Sequence, residues 1–191
     1  MEPMIENGHL DGKMLIAMPS MTDPRFARSL VYVCAHSGDG AMGLIVNKPA
    51  PDLEFSDLLK QLNITAAPET PEIRIHVGGP VEHGRGFVLH SAEYDTSEST
   101  LRVSDDFGMT ATIDILEDIS RGQGPRSCLL ALGYAGWGPG QLESEIQANG
   151  WLTCEARPEL VFDLADATKW RAALDSLGIS PMFLSAEGGS A

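Results

Sequence analysis

The side chains of this chain that could do chemistry lie near glycine-rich turns. Four of them could line one ligand site: Asn47, Arg85, Trp137 and Glu143. They would supply an amide, a cation, an aromatic face and a carboxylate, a mixture typical of a small-molecule pocket. No catalytic residue is predicted.

Three glycine-punctuated segments carry these side chains, namely residues 43–49, 78–86 and 134–143. Each segment ends or leaves an apolar run that is typical of a strand. Because glycine lets one backbone approach another or a ligand closely, we expect the three segments to lie together in space.

Two of the four candidates have a structural alternative. Trp137 either faces a ligand or fills the core beside a tight strand-to-helix turn. Arg85 either binds a carboxylate or phosphate of a ligand or pairs with an acidic neighbour. A helix beginning near residue 140 would attract anions, but Glu143 and Glu145 in its first turns would repel them. The segment therefore suits a neutral or cationic ligand better than an anion.

Several familiar motifs are absent from the sequence. It contains no GxxxxGK[ST] or GxGxxG nucleotide motif, no GxSxG nucleophile motif and no HExxH zinc motif. Four of the histidines, at His36, His76, His83 and His90, follow no familiar ligand spacing. We therefore predict neither a metal site nor a cofactor.

The charge balance limits the partners. The 191 residues include 13 Lys and Arg against 27 Asp and Glu, a formal net charge of −14. Such a surface repels polyanions, and no local basic patch offsets it, so direct nucleic-acid binding is not expected. No apolar run approaches the roughly 18 residues of a membrane span. The N-terminus lacks the features of a signal peptide. A cytoplasmic protein without membrane contact is expected.

The three cysteines are predicted to be reduced and mostly buried. Cys34, Cys128 and Cys154 lie in apolar, strand-like runs, their number is odd, and no CxxC occurs. A disulfide or a metal site is the less favoured alternative.

The order of predicted elements indicates the fold class. Strands dominate the first half, and helices alternate with strands in the second. This order favours a single compact α+β or mixed α/β domain, with a central mixed or antiparallel β-structure and flanking helices. Strands are predicted over residues 13–18, 29–36, 42–46, 73–77, 86–90, 101–103, 128–133 and 151–155, and helices over 55–62, 113–120, 139–149 and 166–177. The strands 29–36 and 42–46 are expected to form a hairpin, and the stretch 91–109 is expected to be loop apart from its one edge strand. Gly150 is expected to end the helix 139–149 in a left-handed conformation, and Asp166 is expected to be the N-cap of the last helix. The domain is expected to span residues 12–185, between a flexible leader (1–11) and a flexible tail (186–191).

The chain resembles the YqgE/AlgH family of bacterial proteins from about residue 12 to residue 184. The resembling stretches are Gly12 to Pro19, Asp23-Pro24-Arg25-Phe26, His36, Gly40 to Leu44, Asn47 with Pro49, Gly78-Gly79-Pro80-Val81, Arg85 to His90, Leu132 to Trp137 and Gly140 to Glu143. The C-terminal Gly188-Gly189-Ser190-Ala191 departs from the family, in which a Gly-His-Ala ending is usual.

The resemblance implies a compact α/β fold but no catalytic residues. Family members are often labelled transcriptional regulators. Two functional hypotheses follow. The first is a non-enzymatic regulatory or binding protein that acts indirectly, through an unknown protein partner or a small molecule. The second is a small-molecule enzyme or metabolite-binding protein that uses a glycine-lined pocket.

Overall fold

The centre of the fold is a curled, nine-stranded sheet. The computed structural model describes residues 9–68, 70–96 and 98–181. The strands are β1 (Lys13–Ala17), β2 (Leu30–Ser37), β3 (Gly40–Ile45), β4 (Ile75–Val77), β5 (Val81–Ser91), β6 (Thr100–Arg102), β7 (Phe107–Thr110), β8 (Cys128–Trp137) and β9 (Trp151–Glu155). They run in the order β6-β7-β5-β8-β3-β2-β1-β9, with β4 beside β8. All pairs are antiparallel except β4–β8.

Helices flank this sheet. They are α1 (Phe55–Gln61), α2 (Ile113–Ser120), α3 (Gln141–Gln147) and α4 (Asp166–Ser176), and a π-helical turn (Glu159–Asp163) precedes α4. The predicted fold class is confirmed: one compact domain with a central, mainly antiparallel sheet and flanking helices. No helix in the described ranges is long and apolar enough to cross a membrane. The limits of the domain stay a prediction, because residues 1–8 and 182–191 lie outside the described residues.

The predicted β2–β3 hairpin is present, with Ser37 paired to Gly40. Side chains of β2 alternate between two apolar clusters, as period-two patterning requires. Tyr32 belongs to the cluster that α4 covers, whereas Val31 and Val33 belong to the cluster on the α3 side. This hairpin forms the middle of the sheet.

Strand β8 joins the two parts of the sheet. Its first residues pair with β4 and β5, and its last three pair with β3. At the change of partner, the backbone of Gly79 lies against that of Tyr134, so closely that a Cβ on Gly79 would lie 2.1 Å from the carbonyl carbon of Tyr134. The amide of Ile45 donates to the carbonyl of Gly78 (2.9 Å). The glycines therefore allow three backbone segments to meet.

The structure corrects three local expectations. The stretch 91–109 is not all loop with one edge strand, because β7 begins within it at Phe107 and is buried. The helix expected over 139–149 ends at Gln147, so the left-handed residue after it is Asn149 (φ 63°) and not Gly150. Asparagine tolerates this conformation better than most residues. Finally, Ala165 rather than Asp166 is the N-cap of α4, since the Asp166 carboxylate is bonded elsewhere.

A buried ionic network fixes α4 to the sheet. The Asp166 carboxylate lies 2.9 Å from Nζ of Lys169 and 3.0 Å from Nε2 of His76. Nζ of Lys169 also donates to the carbonyl of Val46 (2.8 Å). Burial opposes ionisation of Asp166, but the bonds from His76 and Lys169 outweigh it and hold the pKa of this carboxyl well below its usual range. The network explains His76 as a structural residue.

The cysteine prediction is confirmed. All three thiols are free; Cys34 and Cys154 are buried, and Cys128 is partly buried. Burial raises the pKa of Cys34 to about 12, which keeps its thiol protonated and unreactive.

Candidate functional site

A cleft of about 870 Å³ opens beside the β2–β3 hairpin, where β8 passes from β5 to β3. Its wall is apolar and comes from four strands: Met42 on β3, Phe87 on β5, Met109 on β7 and Tyr134 on β8. The rings of Phe87 and Tyr134 meet edge to face, with centroids 5.8 Å apart. Methionine side chains adapt their shape to a ligand, so the wall suits an apolar group.

Two glycines of the cleft lining have different roles. Gly40 and Gly136 line the cleft on neighbouring strands. A Cβ on Gly136 would meet only the ring of Tyr134, at 3.4 Å, whereas one on Gly40 would lie 2.4 Å from the backbone oxygen of Trp137. Gly40 is therefore needed for strand packing, and Gly136 leaves space beside the aromatic wall.

Charged groups of both signs lie among the lining residues. Asp11 and Asp39 supply two exposed carboxylates, and Arg85 supplies one guanidinium. The lining therefore carries a small excess of negative charge, in a chain whose net charge is already −14. This charge favours a neutral or cationic ligand over an anion.

His36 is the imidazole of the cleft, and both of its ring nitrogens are occupied. The amide of Leu10 donates to Nδ1 (3.0 Å), so Nδ1 must carry a lone pair. The ring proton therefore lies on Nε2, which donates to Oε2 of Glu143 (3.0 Å). The backbone N–H of Glu143 itself lowers the pKa of its carboxyl, burial opposes this, and the bond from His36 lowers it further. His36 thus connects the N-terminal segment, the cleft and α3.

Arg85 reaches the cleft because β5 is interrupted. The pairing of β5 with β8 is irregular between Val81 and Gly86, and residues 82–85 bulge away from the sheet. The guanidinium carbon of Arg85 lies 5.1 Å from the centre of the Phe87 ring, and one of its nitrogens is 3.8 Å from the carboxylate of Glu82. Its side chain is 55% exposed. This long, exposed ion pair holds Arg85 weakly, so its guanidinium stays accessible to a ligand.

Trp137 is mainly a core residue. It is 6% exposed, and its Nε1 donates to Oε1 of Glu145 (2.9 Å). Nε1 of Trp151 donates to the same oxygen at the same distance. The two indole rings meet edge to face, with centroids 5.9 Å apart. Trp137 also lines the cleft, but these contacts fit the structural alternative, in which it fills the core.

Asn47 lies apart from the cleft-lining residues. Its Oδ1 accepts the amide of Leu30, and its Nδ2 donates to the carbonyl of Arg28, both at 2.9 Å. The amide thus spans the turn that precedes β2, where Arg28 adopts a positive φ of 56°. Both polar atoms of the Asn47 side chain therefore stabilise this turn, which gives Asn47 a structural role.

The structure brings together the three segments that the sequence singled out. Residues 41–43 of β3 pair with residues 135–137 of β8, and Val81 pairs with Tyr134. Of the four candidate side chains, Arg85 and Trp137 line the cleft, Glu143 contacts it through His36, and Asn47 does not line it. The carboxylates of Asp11 and Asp39 and the side chain of Met109 were not anticipated.

The remaining histidines make ordinary contacts. His90 bonds to Thr110 through Nε2 (2.9 Å), and His83 is exposed. Within the described ranges, no three His, Cys, Asp or Glu side chains are arranged to hold a metal ion.

Comparison with known proteins supplies the family. A family profile described as AlgH-like matches residues 14–182. The chain belongs to the AlgH-like family. It is 62% identical over 182 residues to a UPF0301 protein of Cereibacter sphaeroides, covering 95% of this chain and 99% of the relative. A UPF0301 protein of Paracoccus denitrificans is 57% identical over 190 residues, covering 98% of this chain and all of the relative.

The AlgH-like fold is also seen in a solved structure. The solution structure of the AlgH protein from Pseudomonas aeruginosa superposes with a TM-score of 0.78 at 40% identity, covering 97% of this chain and 96% of that protein. This agreement supports both the family and the sheet described above. None of these names specifies a ligand, a reaction or a partner.

Proposed function

We propose that this AlgH-like protein is a non-enzymatic, cytoplasmic binding protein that holds a small molecule in the cleft between β2, β3, β5 and β8. The observation that carries the proposal is the cleft itself: an open concavity of about 870 Å³ with an apolar wall and a mixed-charge lining. Ligand sites are typically concavities of this size, largely apolar, with a few polar groups that fix orientation.

The ligand should combine a flat apolar body with a basic group. The body would lie against Phe87, Tyr134 and Met42, whose side chains form the wall. The basic group would face Asp11 and Asp39. A small additional acceptor on the ligand would reach Arg85, whose own ion pair is long.

The hydrogen bonds of His36 support a binding function without catalysis. A general base needs a ring nitrogen that is free to take a proton from the substrate. In this cleft Nδ1 is engaged by Leu10 and Nε2 by Glu143. The histidine thus holds the wall of the cleft in place.

A regulatory role would be indirect. The chain carries a net charge of −14, and nucleic-acid affinity normally depends on Lys and Arg contacts to phosphate. Occupancy of the cleft would instead change a surface that another protein recognises. The segment of Leu10 and Asp11 is placed for this role, since it contacts both His36 and the cleft.

The proposal is tested by filling the cleft. Ala35 is an exposed residue of β2 that lines it, so Ala35→Trp should occupy the ligand volume without entering the core. Ala167→Trp is the matched control, because Ala167 is an exposed residue of α4 that does not line the cleft. The wild type and both variants are screened by thermal shift against a metabolite collection that includes aromatic amines.

A ligand at a hundred times its Kd stabilises the folded state by about 2.7 kcal/mol, which raises Tm by roughly 5 to 10 °C for a chain of this size. We expect such a shift for the wild type and Ala167→Trp but not for Ala35→Trp. A ligand that shifts all three proteins equally, or no stabilising compound at all, would contradict the proposal. Turnover of the compound would favour an enzyme instead.

A further inference from the structure

A second cavity lies apart from the cleft. It has a volume of about 360 Å³ and forms where three loops meet: the turn after β1, the segment after β3 and the loop between β4 and β5. Its apolar surface comes from Pro24, Pro49, Pro80 and Val77. Val77 is 38% exposed, which is unusual for a large apolar residue of this chain. We refer to this cavity as the proline pocket.

The charge of the proline pocket is opposite to that of the chain. Its lining includes Arg25, Lys48 and His83, and no carboxylate lines it among the described residues. Acidic residues outnumber Lys and Arg by 27 to 13 in the whole chain, so a cavity whose ionisable lining side chains are all basic departs from the composition.

Lys48 is the cation of this pocket that lacks a counter-charge. Its Nζ donates to the carbonyl of Ala27 (2.8 Å) and forms no ion pair with any residue in the described part of the chain. Lys48 is partly buried, and this burial lowers the pKa of its ammonium. A partly desolvated, unpaired ammonium gains from an added anion.

Arg25 adds no net charge to the proline pocket, because its guanidinium pairs with Asp23. Its Nη2 lies 2.8 Å from Oδ2 of Asp23, and its Nε donates to Oδ1 at 3.1 Å. Asp23 therefore fixes the guanidinium at the rim and neutralises it. One uncompensated positive charge remains at Lys48, which matches a singly charged carboxylate better than a phosphate dianion.

We infer that the proline pocket binds a small carboxylate with a compact apolar body, the carboxylate against Lys48 and the body against the proline rings and Val77. This site differs from the cleft, whose lining favours a neutral or cationic ligand. It rests on other residues, so it stands or fails independently of the proposed function.

The test uses benzoate as a carboxylate with an apolar body, benzamide as its neutral counterpart and inorganic phosphate as an anion without an apolar body. Each is titrated into the full-length, ¹⁵N-labelled protein and followed by amide chemical shifts. Benzoate is expected to shift amides of residues 45–48 and 77–83 saturably. Benzamide and phosphate should shift the same amides at least tenfold more weakly.

Variants then locate the charge. Lys48→Met should weaken benzoate about tenfold or more, because a charged hydrogen bond is lost. Lys48→Arg keeps the charge and should restore most of the affinity. Lys60→Met is the matched control, since Lys60 is an exposed residue of α1 that does not line this pocket. It should bind benzoate as the wild type does.

Three results would overturn the inference. If benzamide binds as tightly as benzoate, the negative charge of the carboxylate plays no part in binding. If benzoate mainly shifts amides outside residues 45–48 and 77–83, it binds somewhere other than the proline pocket. If folded Lys48→Met binds benzoate with unchanged affinity, Lys48 does not bind the carboxylate. If Lys48→Met does not fold, the benzoate and benzamide titrations of the wild type decide the question alone.

Discussion

His36 and Glu143 are 107 residues apart in the sequence, and their side chains meet at 3.0 Å between Nε2 and Oε2. Because Nδ1 of His36 accepts the amide of Leu10, the ring proton must point at Glu143. One imidazole therefore ties the N-terminal segment to the first turn of α3 across the mouth of the cleft.

The first prediction concerns the pH dependence of this contact. Glu143→Gln should cost less than about 1 kcal/mol of unfolding free energy at pH 7, because the Glu143 side chain is 46% exposed. The pKa of Glu143 is lowered in the folded protein, so its stabilisation is present above the ordinary carboxyl pKa and is lost as the pH falls below about 4. Urea unfolding of both proteins at pH 7 and pH 3 checks this. If the unfolding free energies of the wild type and Glu143→Gln differ equally at both pH values, the ionised carboxylate of Glu143 does not stabilise the folded protein.

Removing the carboxylate of the buried network should have a much larger effect. Asp166→Asn leaves the ammonium of Lys169, which is 2% exposed, without its counter-charge and should destabilise the protein by about 3 to 5 kcal/mol at pH 7. Since the pKa of Asp166 is lowered on folding, the difference should shrink in acid. Asp163→Asn, at a neighbouring exposed carboxylate, is the control and should change little.

The double variant Asp166→Leu/Lys169→Met separates charge from packing in this network. It should be more stable than Asp166→Asn, because no unpaired charge remains buried. If the double variant is the less stable of the two, the network contributes mainly through its hydrogen bonds.

Gly79 should tolerate no side chain. A Cβ at this position would lie 2.1 Å from the carbonyl carbon of Tyr134, so Gly79→Ala must push β8 away from the loop before β5. We expect a loss of at least about 3 kcal/mol or failure to fold. Gly84→Ala is the matched control, since a Cβ there meets no atom within 4 Å. Near-wild-type melting of Gly79→Ala would mean that this close approach is not required.

Regular elements were predictable where the local pattern was strong. The helix Ile113–Ser120 and the strand Trp151–Glu155 have the bounds expected from the sequence. Strand β7 was missed because its four residues, Phe107–Thr110, follow a polar stretch and contain a glycine. Strand β8 extends beyond the predicted residue 133 because residues 135–137 pair with β3. That support comes from tertiary structure and leaves no local signal.

The candidate site was predictable only in outline. Glycine clusters pointed to the three backbone segments that do meet. Asn47 shared that pattern, yet its amide is used to brace the turn before β2. Asp11 and Met109 carry no local sign of facing a cleft, since they reach it from segments far apart in sequence. Which side chains face a concavity depends on sheet curvature, which composition and periodicity do not specify.

The charge distribution gives a prediction about nucleic acid. Pure protein at micromolar concentration should give no salt-dependent shift of duplex DNA, since the chain carries a net charge of −14. An electrophoretic gel shift at 50 and 150 mM salt checks this, with a basic DNA-binding protein as positive control. A shift that weakens with added salt would show direct phosphate contacts and support a direct transcriptional role.

The most direct test of the account is native mass spectrometry of the protein purified from its own cell. We expect the wild type to carry a small molecule that is lost on unfolding, and the Ala167→Trp control to carry the same mass. Ala35→Trp, folded and with its cleft filled, should be recovered without it. Recovery of the bare wild-type chain, or of the same bound mass in Ala35→Trp, would contradict the claim that the cleft is a ligand site.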